Sequence, residues 1–290
     1  MAAQDRALYD RALRLKLSEA GLIRYSYPRP HPWEDGKAEV RNAEDALYPL
    51  VPSDGIRNCD RCKTVYHIDD EGRPLTSSVC RYHFGRLYGS PVKRYRCCQQ
   101  KSNAAPCKIA SQHVTADIDL DNLSGFCHTQ QSDNDEKSIY ALDCEMIYTT
   151  EGMVVGAISV VNTDYQVVYE TLVKPENIVD YNTEHSGLTA TQFQDVTTNL
   201  QDVHSKLLSL FGSKTILVGH SLNNDFLRLK LIHDLVVDTI IMYPHSRGLP
   251  FRNSLAYLKE RYLKPSLSTS LNFKCRDDAI AAMKLFRRRF

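Results

Sequence analysis

The stretch SIYALDCEMIYTT, residues 138–150, reads as an apolar β-strand that nevertheless carries Asp143 and Glu145. Side chains alternate across a strand, so acids two residues apart point to one face while Leu142 and Cys144 point to the other. Carboxylates held side by side repel each other and cost desolvation, and a divalent cation between them is the natural relief. The alternative is a half-exposed strand end bearing two solvated acids.

After this strand the pattern is α/β. Strands are expected at about 139–147, 154–162, 166–174, 215–219 and 236–242, and helices at about 197–211, 223–233, 253–262 and 277–287. The first three strands follow one another through short turns such as NTDYQ and should form an antiparallel meander, whereas the later ones alternate with helices. The expected fold class is therefore a mixed α/β sheet with flanking helices. With 290 residues, 42% of them apolar, the chain has ample core for two domains.

Upstream, residues 4–20 have helical spacing of Leu8, Leu13 and Leu15 and read as a docking helix within an N-terminal segment 1–50, ended by AGL and the turn-rich SYPRPHPWEDG. Residues 51–116 form a short Cys-rich block, interrupted by Gly and Pro, that cannot bury much core. The polar, acidic stretch 117–137 reads as a linker to the domain 138–290.

Two further acids stand at the starts of predicted helices. TILVGHSLNNDFLRLKLIH is a strand, then GHS, then a helix with Asp225 in its first turn, and CRDDAIAAMKLF opens the last helix with Asp277 and Asp278. Each alone is what the positive end of a helix dipole favours. The dipole does not explain a strand pair, a strand-to-helix acid and a terminal-helix acid in one domain. His220, Ser221 and Asn224 could position a substrate there, or serve as ordinary turn and cap residues.

Six of the nine cysteines lie between Cys59 and Cys107, with His83 among them and His113 after them. The order is Cys59-x2-Cys62, Cys80-x2-His83, the adjacent Cys97 and Cys98, and Cys107-x5-His113. These eight candidate ligands divide into two tetrahedral sets, the usual coordination of structural Zn²⁺. The first two pairs suit one turn presenting two ligands to one ion, and order alone leaves the grouping open. Buried, unliganded cysteine is the competing reading. The block also carries an excess of Arg and Lys with Tyr82, Phe84, Tyr88 and Tyr95 interleaved, which suits single-strand binding by phosphate pairing and base stacking, or simply a solvated module surface. The formal net charge is +1, so any nucleic acid would be held by a local patch. No run of 18 apolar residues and no unbroken leader core occurs, so the chain reads as soluble and intracellular, with no membrane partner.

Segments YALDCEM, VVYETLVKPENIVDYNT and TILVGHSL, with VVDT and SLAYLKERYL beyond them, resemble the RNA exonuclease 1 (GOR-type) group of DEDDh 3′-to-5′ exonucleases, whose fold is ribonuclease H-like. The Cys/His block, with CRYHFGR, CC and HV, is similar to that of the same group and to CHORD-type zinc modules, so the resemblance spans about residues 45–286. It implies that Asp143, Glu145, Asp225 and Asp278 hold two catalytic Mg²⁺ or Mn²⁺ ions, Asp278 being preferred to Asp277 because it directly precedes Ala279. It further implies two structural zinc ions, a single-stranded RNA substrate with a 3′ end, a protein partner through the N-terminal region, and a nuclear location. The group's general-base His lies five residues before the last acid, and here that position is Phe273; the Tyr of the related variant is replaced by Lys274. Loss of a general base typically costs about 10²–10⁴ in rate, so weakened activity is expected. The rival expectation is a catalytically impaired RNA-binding or scaffold protein on the same fold.

Overall fold

The computed structural model describes residues 3–41, 55–76, 78–129, 136–263 and 274–290. Its main sheet contains β1 (Ser138–Thr149), β2 (Gly152–Asn162), β3 (Val167–Leu172), β4 (Thr215–Gly219) and β5 (Val236–Asp238), in the spatial order β3-β2-β1-β4-β5. The first three form the expected antiparallel meander, and β4 and β5 continue it in parallel. A short strand, Ile178–Asp180, pairs with the far end of β1. This order, an antiparallel meander extended by parallel strands, is the ribonuclease H-like arrangement.

Helices α1 (Ala3–Leu13), α2 (Leu200–Leu210), α3 (Leu222–Arg228), α4 (Leu255–Tyr262) and α5 (Lys274–Arg287) cover the sheet. Alternation along β1 sorts the core. Leu142 and Cys144 join Leu217, Val203 and Leu207 of the α2 side, while Ile139 and Ala141 join Val218, Ala279, Met283 and Phe286 of the α5 side. Asp143 and Glu145 continue the Ile139 and Ala141 row, so they face α5. β4 is buried along its whole length, as an interior parallel strand requires, and its run TILVG is correspondingly continuous in apolar character after Thr215.

Several expectations are corrected. The strand foreseen at 236–242 ends at Asp238, because its side chain accepts the Ile240 amide and caps a helical turn, Thr239–Met242. The helix foreseen at 223–233 stops at Arg228, and Leu231–Ile232 instead pairs with Cys127–His128. The AGL stretch does not end a helix: it lies within a second short helix, Glu19–Arg24, whose N-cap is Ser18. Residues 117–129 are not a free linker. Ile118, Leu123 and Phe126 are buried against Ala38, Val40, Leu227 and Ile232, an apolar set that the surrounding acids and serines mask in the sequence. Residues 42–50 and 130–135 lie outside the described residues.

The Cys/His block folds as three two-stranded ladders, Ile56–Asn58 with Val65–His67, Cys80–Tyr82 with Lys108–Ala110, and Leu87–Tyr88 with Arg94–Tyr95. Among the described residues its internal buried cluster is Cys59, Tyr66, Cys80 and Tyr82, while Val114 and Ala116 are buried against Tyr148 of β1. Arg61 fastens it to the sheet unit with two bonds to Asp180, of 2.8 and 2.7 Å, while stacking over Tyr82 and Tyr148. The Tyr148 hydroxyl in turn donates to Asp60 at 2.6 Å. No helix among the described residues is long and apolar enough to cross a membrane.

Candidate active site and metal centres

The carboxylates of Asp143, Glu145 and Asp278 lie within 4.8 Å of one another. Two local features bring them there, and a third sets Asp225 beside them. The register of β1 and β2 shifts after Glu145, and the residue passed over on β2 is Gly156, where a Cβ would lie 2.7 Å from Ile147 and 3.0 Å from Leu188. Such a bulge re-aims the strand end and needs a residue without a side chain. Asp278 comes from the first half of α5, beside the buried Cys275 and Ala279 that seat this helix on the sheet.

The third feature places Asp225. At Gly219 a Cβ would meet Leu222 at 2.3 Å, so glycine alone lets the chain fold back over the end of β4, with Ser221 in the left-handed region at φ 62°. Asp238 secures this turn by accepting the amides of Ser221 and Leu222 and the hydroxyl of Tyr27. β4 pairs with β1 only as far as Ala141, and the Cys144 amide beyond it donates to Asp225 Oδ1 at 3.1 Å. Asp225 is thus buried close enough to Asp143 to raise its pKa, but outside the tight group of three.

Electrostatics at the site fit a cation. Burial, then the neighbouring Asp225, Asp278 and Glu145, hold Asp143 well above the usual carboxylate range. Burial pushes Glu145 up to about 7 against the pull of Lys274, and burial pushes Asp225 up to about 8 against the Cys144 amide. Carboxyls that cannot all ionise together are what a divalent ion stabilises as anions. Two lysines, which sequence reasoning left out of the site, already reach it: Lys274 Nζ lies 3.3 Å from Glu145, and Lys259 Nζ donates to Asp278 at 2.9 Å. Lys274 was visible only as the absence of a tyrosine, and Lys259 has no sequence signal beyond its helix. His220 Nδ1 meets Thr239 Oγ1 at 2.9 Å; because that hydroxyl donates to Gly219 O, the imidazole nitrogen is the donor. Phe273, the position matched to the general base, lies outside the described residues.

The eight Cys and His residues of the block gather into two groups of four. One is Cys59, Cys62, Cys80 and His113; the other is His83, Cys97, Cys98 and Cys107. Cys80 and His83 therefore part company, correcting the expectation that this pair serves one ion. Cys80 lies on a strand and His83 three positions on, an odd offset that turns the two side chains to opposite faces. Within the groups, Cys59 and Cys80 sulfurs are 3.6 Å apart, as are Cys97 and Cys107. A disulfide would be about 2 Å. The edge of a tetrahedron with zinc–sulfur bonds of about 2.3 Å is about 3.8 Å, close to what is seen. Both histidines turn Nδ1 to the sulfurs, and their outer Nε2 atoms meet Ser78 Oγ at 2.8 Å and Ala104 O at 3.3 Å. An outer hydrogen bond of that kind fixes the ring and its ligating lone pair. The donor sets fit zinc.

The sheet order is that of a ribonuclease H-like fold. Residues 57–111 match the RNA exonuclease 3 middle domain. The chain is 41% identical over 290 residues to the human RNA exonuclease 1 homolog, covering 96% of this chain and 23% of that protein. Against RNA exonuclease 3 of Schizosaccharomyces pombe it is 34% identical over 249 residues, covering 82% and 44% of the two. Among solved structures, the Neurospora crassa Pan2 catalytic unit (protease and nuclease domain) aligns with a TM-score of 0.47 and 23% identity, over 57% of this chain and 29% of that one. The chain spans less than half the length of each curated relative named here.

Proposed function

We propose that this chain is a 3′-to-5′ exoribonuclease that hydrolyses single-stranded RNA from its 3′ end with two Mg²⁺ or Mn²⁺ ions. The observation that carries the reading is the approach of acids from a strand, a strand-to-helix turn and a terminal helix, up to 135 residues apart in the chain, to one place. Asp143, Glu145, Asp225 and Asp278 would hold the ions, which when bound activate water and stabilise the leaving 3′-oxygen. The chain's own part is to keep these carboxylates converged: the bulge after Glu145 aims one, the Cys144 amide fixes another, and Lys259 restrains Asp278. Lys274 partly neutralises Glu145 and must yield its place for that carboxylate to serve a metal.

The two cysteine–histidine groups would each take one structural zinc. With Phe273 at the general-base position, turnover should be slow and should rise with pH, since no imidazole of this chain stands there to take the proton of the attacking water. The same residue favours the second reading, an RNA-binding or scaffold protein with impaired catalysis.

The deciding assay uses 5′-labelled single-stranded RNA in Mg²⁺ or Mn²⁺. We expect a ladder shortening from the 3′ end with release of nucleoside monophosphates, reduced in Asp143→Asn by at least about 10²–10³, the scale for losing one preorganised electrostatic group. Equal activity in Asp143→Asn, or none in the parent, would overturn the exonuclease reading.

A further inference from the structure

Between the Cys/His block and the sheet unit lies an open cleft of about 990 Å³. Two residues of its lining bond to chain neighbours of the acids. Asn182 there donates to Met146 O at 3.3 Å, next to Glu145, and Arg252 reaches Asn223, two positions from Asp225, at 3.4 Å. Its outer wall carries Phe84 and the exposed Tyr88.

The charge left over in this cleft is positive. Of its acids, Asp60 is taken by Tyr148 and Lys63, and Glu184 by Lys108 at 2.5 Å. Arg86 and Arg96, both exposed, make no ion pair among the described residues, and Arg96 lies over the Tyr88 ring at 5.5 Å. The two arginines are held side by side, because the Arg96 amide donates to Arg86 O at 3.0 Å. That approach needs Gly85, where a Cβ would come within 2.3 Å of the Cys97 nitrogen. Arg252, also in the lining, has a buried Nε with no hydrogen-bond partner among the described residues.

From this geometry we infer that the cleft is the path by which a single-stranded RNA reaches the acids, its phosphates on Arg86, Arg96 and Arg252 and its bases stacked on Tyr88 and Phe84. The inference rests on the exonuclease reading for the identity of the strand. Unpaired arginines beside aromatic faces are the chemistry that holds single strands without regard to sequence. His83 and Cys97 belong to the same wall, so the second cysteine–histidine group shapes the RNA surface as well as the block's fold.

Binding is measured by fluorescence anisotropy with a single-stranded RNA of roughly 12 nucleotides, within the range one such groove spans. The full chain carrying Asp143→Asn serves as parent, so that no hydrolysis enters the readout. Adding Arg86→Glu with Arg96→Glu should weaken binding by about tenfold or more and flatten the slope of log K against log salt by about 1.4, two phosphate contacts at about 0.7 each. Lys206→Glu, on the exposed side of α2 outside the cleft, should leave affinity within about twofold. A second measurement does not depend on the variants' folding: RNA bearing 4-thiouridine should photocrosslink to peptides containing Phe84 and Tyr88 in the parent. Unchanged affinity and salt slope in the double variant, equal loss with Lys206→Glu, or crosslinks confined to peptides outside 82–97 would each overturn the cleft assignment. The exonuclease reading is judged separately by hydrolysis in the unsubstituted chain, so either can fail while the other stands.

Discussion

The sheet unit and the Cys/His block differ in how much apolar surface each has to bury. In the sheet unit, both faces of β1, β2 and β4 are covered by helices, and residues such as Phe226, Leu217 and Phe286 are fully buried. In the block, two of the four residues of the internal buried cluster are themselves candidate zinc ligands, while Val65, Leu75, Val79, Leu87, Val92 and Ile109 stay exposed. Burial of apolar surface scales with size, and a unit this small has too little of it to offset chain entropy. The lesson is that packing suffices to order the first unit, whereas the second, short of packing, gathers two sets of candidate metal ligands at its centre.

The largest effect expected from this contrast is in the block. Cys62→Ser should abolish ordering of residues 55–115, since apparent zinc-binding free energies of about 10–16 kcal/mol are folding free energy in such modules. Metal analysis should fall from about two zinc ions per chain to about one or fewer, with hydrogen-exchange protection lost in the block and kept in β1, β2 and β4. Loss of protection in both units would break the comparison. In the sheet unit, Phe226→Ala should cost about 3–5 kcal/mol by cavity formation, measured by denaturant unfolding, and leave the zinc content unchanged.

A pH dependence sharpens the contrast. His233 is buried, with Nε2 donating to Thr215 O at 2.7 Å and Nδ1 2.6 Å from the Thr129 hydroxyl. Burial pushes its imidazolium down to about 4 from an ordinary 6.5. The unfolded chain therefore takes up a proton below pH 6.5 that the folded chain refuses until about 4. Stability from this group is full above that window and is lost as pH falls through it, by about 3 kcal/mol at about 1.4 kcal/mol per unit. His233→Gln should flatten the acid limb of the stability curve; an unchanged limb would show that other groups govern it. The smallest effect lies at the seam. Arg61→Ala removes a charged, two-bonded contact to Asp180 and should cost about 1.5–3 kcal/mol, seen as separate melting of the two units with both zinc ions retained.

Much of the sheet unit was legible because its signals are local. The period-two pattern of 138–150 and the short turn NTDYQ specify a meander, and acids two apart on a strand must share a face. What stayed hidden depends on tertiary placement. That Asp225 would anchor on the Cys144 amide follows from β4 ending its pairing at Ala141, which no local pattern states. The split of Cys80 from His83 was recoverable in principle, since an offset of three on extended chain separates faces, whereas Cys59 and Cys62 flank a turn that Lys63 closes at φ 64°. Residues 117–129 misled because Ile118, Leu123 and Phe126 are diluted by polar neighbours.

The Tyr27 hydroxyl bonded to Asp238 carries a consequence for dissecting the molecule. Tyr27 also meets Phe226 edge-on at 5.7 Å, and Leu17 and Leu22 belong to the same buried cluster as Leu142 and Leu217. The folding unit around the acids is therefore discontinuous in sequence, with the Cys/His block inserted between its two pieces. A fragment starting at residue 138 would expose this cluster and leave the turn-holding Asp238 short of a donor. Supplying a peptide of residues 3–41 in trans should restore its solubility, as one half of a split protein completes the other.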